Sequence, residues 1–290
     1  MKKVNSVLAS VVCAAIACSV FTSCKNGGDD NTQKAQDTVL SDAQRIDSLT
    51  TEKKNDIDFK FATLAANLPS PFDVVNDLYS YKAPYKADLL NPTANAEKYT
   101  TPFKKEINFG VYGIDLAYIN FYGQNQEMLN YYNTIQKLAQ DLNIASISEA
   151  YAERFKTNAN NHDSVVVIVD NIFSATDAYL SKNDRYLVAS HIIAGSIVEV
   201  NYLSLNLLKD IKRTPETEKL FVKVYNENLA LYHLINLYEK YTDKDSKMLL
   251  ENIKVYRKSY DEIIKSADDM NAENITKAAA MITTLRNKLI

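Results

Sequence analysis

Residues 103–122 read Phe-Lys-Lys-Glu-Ile-Asn-Phe-Gly-Val-Tyr-Gly-Ile-Asp-Leu-Ala-Tyr-Ile-Asn-Phe-Tyr, and between Glu106 and Glu127 the only charge is Asp115. Thr100 or Thr101 is placed to cap a helix, Pro102 fits its first turn, and no proline follows until Pro215. The spacing therefore predicts a helix to about Gly123. Phe109, Tyr112, Leu116 and Ile119 make a bulky apolar stripe on it; Gly110, Gly113 and Ala117 make a small one; Val111, Asp115, Tyr118 and Tyr122 make a third. A helix apolar on nearly every side belongs at the centre of a protein. The small stripe lets a neighbouring helix approach closely, which offsets the roughly 1 kcal/mol that each interior glycine costs relative to alanine.

The rest of the chain is of the same kind. With 290 residues, 46% of them hydrophobic, there is material for one large or two small domains with a substantial core. Six glycines and six prolines are too few for many short strands, so long helices are expected. The fold class is all-α, an array of eight to ten antiparallel helices.

The first residues read as targeting. Lys2 and Lys3 form a basic region, Val7 to Val20 an apolar one, and Phe21-Thr22-Ser23-Cys24 a cleavage site. This resembles a bacterial lipoprotein signal, in which the thiol of the cysteine after the cut receives diacylglycerol; phenylalanine replaces the usual leucine at the first position. An ordinary secretory cut near Ser23 is the alternative. Residues 1–23 are thus expected to be a signal peptide, 24–55 a lipidated flexible tether and 56–290 the helical domain. Cys24 would be the one cysteine of the mature chain, which excludes an internal disulfide. Loss of Lys2 and Lys3 leaves 31 basic against 36 acidic residues, and a net charge of −5 does not suggest a nucleic-acid partner. The partners implied are a membrane, through the anchor, and an envelope protein or small ligand. The expected location is the outer membrane, facing the periplasm or the cell surface.

Helices are expected from Ser70 to about Tyr81, Gln124 to Leu142, Ser146 to about Phe155, Ser164 to Leu180, Val188 to Leu208, Thr214 to about Tyr241, Asp245 or Ser246 to Ala267 and Asn274 to Leu289, with an ordered loop from Ala83 to Tyr99. Asp184 and a Ser146/Glu149 capping box are expected to start two of them. The run Val165 to Val169 has strand propensity, but no partner strand is apparent and a helical pattern continues through Tyr179. Val188 to Leu208 is long enough to cross a membrane, yet it carries Ser190, His191, Ser196, Glu199, Asn201 and Asn206, so a buried core helix is preferred.

Leu68-Pro69-Ser70-Pro71, the Tyr85 to Tyr99 loop, Asn108 to Tyr112 with Asp115 to Tyr118, and Ala194-Gly195 with Glu199 and Tyr202 resemble a group of helical lipoproteins of Bacteroidetes. The likeness spans roughly residues 60–210. It implies a shared fold and carries no activity with it.

Two helices that otherwise exclude charge each hold an acid followed three residues later by tyrosine: Asp115 with Tyr118, and Glu199 with Tyr202. Each phenol is within reach of its carboxyl. The pair is either an acid/base or cation site in a cleft or two structural acids tied to basic residues of other helices. His191, Gly195, Glu199, Tyr202 and Asn206 share one face, which borders a pocket or meets solvent. His191 and Glu199 are about 12 Å apart along the helix, too far to share one metal ion, and His162 and His233 have no ligand partner at normal spacing, so no metal and no cofactor is expected. No catalytic motif appears. The candidate binding or buried polar residues are therefore Asp115, Tyr118, His191, Glu199 and Tyr202. A non-enzymatic binding module is the first expectation, an enzyme using Asp115 and Glu199 the second, and a purely structural envelope component the third.

Overall fold

Two helices with almost no exposed surface form the axis of the molecule, and the others are laid around them. The structure, a computed structural model, describes residues 51–67 and 71–290; the stretches expected to be signal peptide and tether up to residue 50, with Cys24, and the expected helix start at Ser70 lie outside the described residues. Among the described residues there are ten α-helices and no strand. In order they are α1 Thr51–Asn67, α2 Pro71–Ser80, α3 Pro102–Phe121, α4 Asn125–Asp141, α5 Ala145–Asn158, α6 His162–Lys182, α7 Tyr186–Leu208, α8 Glu218–Tyr238, α9 Lys244–Ile263 and α10 Ala272–Asn287. Short 3-10 turns at Ala87–Leu89, Thr93–Lys98 and Ala267–Asp269 punctuate the loops. The helix α1 begins within the segment assigned to the tether, because extending a helix by a residue costs little once its first turn exists.

The axis is α3 against α7. Contacts advance in the same direction along both, from Glu106 with His191, through Gly110 with Ser196, to Asp115 beside Glu199, so these two helices, distant in sequence, run parallel. The sequence neighbours α7 and α8 pair antiparallel, as Asn201 with Asn228 and Ser190 with Tyr241 show. So do α9 and α10, through Ile263 with Asn274 and Asn252 with Lys288.

The small stripe explains the closeness of the central pair. A Cβ at Gly110 would lie 2.1 Å from the Ile192 carbonyl oxygen, and one at Gly195 would lie 2.0 Å from the Ile107 carbonyl oxygen. Both overlaps are with backbone, so neither glycine can grow without the helices parting. Gly113 serves a different neighbour: its space is filled by the Phe173 ring of α6. The β-branched run Val165 to Val169 lies inside α6, with Val165, Ile168 and Val169 buried, so burial of one helical face has overridden strand propensity. The helix α7 is long and apolar enough to cross a membrane by composition, but 94% of its most apolar window is buried by other helices.

Four of the connections use one device. Lys82, Gly123, Asn143 and Asp184 all have positive φ, just past the ends of α2, α3, α4 and α6. Behind each, the next amide reaches back to a carbonyl of the last turn: Ala83 to Leu78, Gln124 to Ile119, Ile144 to Ala139 and Arg185 to Leu180. This left-handed cap is usually built on glycine, and here asparagine, aspartate and lysine fill three of the four places, which is how the chain manages with so little glycine. Three expected helix starts are corrected accordingly. Asp184 ends α6 rather than capping α7; Ile144 precedes α5 with no side-chain cap; and Thr214 to Thr217 form a turn before α8. Thr101 does cap α3, accepting from the Lys104 amide at 3.3 Å.

Candidate functional site

The strongest polar junction joins α3, α7, α10 and the loop before α3. Glu199 is fully buried and takes a two-pronged contact from Arg286, 2.6 Å from Nε to Oε2 and 2.8 Å from Nη2 to Oε1. Arg286 also donates to the Leu89 carbonyl at 3.2 Å and lies over the Tyr202 ring, 4.2 Å from its centroid. A bidentate arginine that also donates to a carbonyl and lies over an aromatic face is the arrangement that helps to repay desolvation of a buried ion pair.

Asp115 stands beside this pair, also fully buried, and its Oδ2 accepts the Asn91 amide at 3.0 Å. Its Oδ1 accepts from no N–H or O–H, and the Glu199 carboxyl stands beside Asp115. Two carboxyls in contact need a proton between them. Burial, reinforced by the Glu199 charge, holds the Asp115 carboxyl well above the usual carboxylate range; Arg286 and the Asn91 amide only partly oppose this. Of the two, Asp115 is the carboxyl whose surroundings favour keeping a proton.

Asn91 fastens the loop over Asp115, Glu199 and Arg286. Its side-chain amide donates to Tyr99 Oη at 2.9 Å and Asn108 Oδ1 at 3.1 Å, its Oδ1 accepts from Asn95, and its carbonyl accepts from Tyr131. Tyr112 donates to the next carbonyl, Pro92 O, at 2.9 Å.

The other candidates go elsewhere. Tyr118 leaves Asp115 and joins a stack with Tyr85 and Tyr122, accepting the Lys86 amide at 2.8 Å. Burial pushes its phenol up to about 12. The expected phenol-to-carboxyl bonds are therefore absent at both helices: Tyr118 anchors the loop, and Tyr202 serves as a platform for Arg286. The face His191, Gly195, Glu199, Tyr202, Asn206 meets neither solvent nor a pocket, since every member is buried.

His191 belongs to a second cluster at the start of the central pair. Its Nδ1 is 2.5 Å from Glu106 Oε2 and its Nε2 is 3.3 Å from Ser246 Oγ. Phe103 meets the ring edge-on at 4.9 Å and Tyr238 stacks on it at 5.9 Å. The order carboxylate, imidazole, hydroxyl is that of an acid–base–nucleophile relay. Such a relay also needs a place for the reacting carbon and donors for an oxyanion, and Ser246, His191 and Glu106 are at most 1% exposed. The cluster satisfies a buried histidine and pins α3, α7 and α9 together.

Glu106, Ser246, Asn91 and Arg286 escaped sequence reasoning. Only Arg286 left a usable signal: it continues the stripe Ile275, Ala279, Ile282, at spacings where another apolar residue is expected. An arginine on a core stripe calls for a buried acid.

Among the described residues, no group of three or more His, Cys, Asp or Glu side chains is arranged to hold a metal ion. No family model matches the chain, and neither the curated proteins nor the solved structures contain a match.

Proposed function

We propose that this chain is a lipid-anchored, non-enzymatic module of the cell envelope, whose helical body binds an envelope protein or a small ligand at its surface. The anchor rests on the lipobox-like Phe21-Thr22-Ser23-Cys24, which supports lipidation of Cys24 and placement at the outer membrane, facing the periplasm or the cell surface. The observation that carries the rest is that Asp115, Glu199, Tyr202 and His191 are enclosed and engaged with Arg286, Asn91, Glu106 and Ser246, so the groups best suited to chemistry serve the fold. Crosslinking in native cells followed by pull-down, compared between wild type and Cys24→Ala, tests this. One envelope component recovered with wild type and lost with the variant supports it. Equal fatty-acid labelling of the two proteins overturns the anchor.

A second reading, an enzyme using Asp115 and Glu199, is favoured by two buried carboxyls side by side, one of them raised well above the usual carboxylate range. Groups kept for chemistry are often strained, and removing them leaves stability unchanged or improved. If Asp115→Ala and Glu199→Ala both melt at or above wild type, that reading replaces the first.

A further inference from the structure

A third buried acid lies outside both clusters, where α2 docks on α8. Glu227 is 3% exposed, and its Oε1 has no hydrogen-bond partner. One turn earlier on α8, Lys223 is engaged by Asp77 of α2, Nζ to Oδ2 at 2.6 Å. One turn before Asp77 stands Asp73, whose charge acts on Glu227. The seam therefore matches cation with acid at one level and acid with acid at the next. Around α8, Asp56 of α1 pairs with Lys240, with Lys60 of α1 acting on the same carboxyl; Arg257 pairs with Asp261 of α9, Arg213 with Glu218 and Asp268, and Glu199 of α7 with Arg286, while Asp58 of α1 and Lys219 and His233 of α8 are further charged or titratable groups. The polar groups of α7 nearest this seam are neutral: Asn201 donates to the Glu227 carbonyl, and Ser204 follows one turn on with its Oγ unpartnered. Besides that ion pair, burial of Phe72, Val74, Val75 and Leu78 holds α2 down.

We propose that Glu227 is a pH-responsive latch for α2, which stays docked on α8 while that carboxyl keeps its proton and loosens as the proton is lost. Burial lifts the Glu227 carboxyl to about 7, with Lys223 opposing and Asp73 adding. When α2 lifts, the carboxyl meets water and returns to an ordinary value near ~4.3. A group raised in the docked form favours docking most at low pH; the advantage shrinks as pH rises toward 7 and is constant above it. The inference stands independently of the proposed function.

Native-state hydrogen exchange of the full chain at pH 5 and pH 8, corrected for intrinsic amide rates, tests the latch. The opening equilibrium over residues 71–80 is expected to rise about 70-fold between the two, against little change in α5, which carries no buried acid. Glu227→Gln is expected to abolish the rise. No rise in wild type, an equal rise in every helix, or a rise that survives Glu227→Gln overturns the proposal. Should the variant fail to fold, the carbon-13 titration of the Glu227 carboxyl in wild type decides: a midpoint near 7 supports the latch, and one below 5 overturns it.

Discussion

The two polar clusters on α3 and α7 are built on the same helices and differ in what they demand of the rest of the fold. Asp115 follows Glu106 by nine residues, and Glu199 follows His191 by eight, so the clusters stand roughly 13 Å apart along the parallel pair. The His191 cluster closes with one hydroxyl from α9. The Glu199 cluster holds a full buried charge, which has to be met by a full opposite charge from α10. Remote helices are thus recruited into the core by electrostatic need at one level and by a single hydrogen bond at the other. Loss of the remote partner should cost very different amounts.

Arg286→Ala is the sharpest way to break the comparison. It strands Glu199 and is expected to cost roughly 3 to 5 kcal/mol, read by denaturant unfolding. The register of the pair is next. Gly195→Ala forces backbone against backbone and is expected to cost about 3 kcal/mol, whereas Gly113→Ala displaces a half-buried Phe173 ring and should cost about 1 kcal/mol. Equal losses would mean that the central helices yield as readily as one side chain. Ser246→Ala, the counterpart of the arginine change, removes one neutral contact to His191 and is expected to cost about 1 kcal/mol in the same melts.

The smallest effect is the most diagnostic. Asp115 has a carboxyl raised in the folded state, so in wild type its contribution is most favourable in acid and weakens as pH climbs above the unfolded value near ~4. Asp115→Asn keeps a donor toward Glu199 and has no proton to lose. Its stability relative to wild type should therefore improve as pH rises from 4 to 8, read by denaturant unfolding at the two pH values. A flat difference would remove the shared proton from the account.

How much of this was legible beforehand follows from what each signal encodes. The central helices announced themselves because a run of residues with one charge can only be interior, and the glycines of Phe109 to Gly113 announced a close neighbour. Periodicity says which face is buried but not against what, so it could not pair Glu199 with Arg286 or place Ser246 on His191. The phenols were misread for a related reason. Proximity of Tyr118 to Asp115 along one helix says nothing of the loop that competes for its hydroxyl, and that loop won with the Lys86 amide. Helix starts failed where the chain turned through a left-handed residue, since Asp184 looks the same whether it caps the next helix or ends the last.

The glycine notch also sets the order in which the molecule can assemble. Gly110 and Ser196 meet across 86 positions of chain. The hairpins of α7 to α10 join neighbours and can form as soon as their residues are available, but the inner face of α3 stays uncovered until α7 has been made and brought back. Closing so long a loop before its contacts reward it is the slow, entropy-limited part of a fold otherwise rich in local pairs. For that interval α3, the half of the axis that is made first, is the segment exposed to aggregation, and a protein that holds unfolded chains would find its target there.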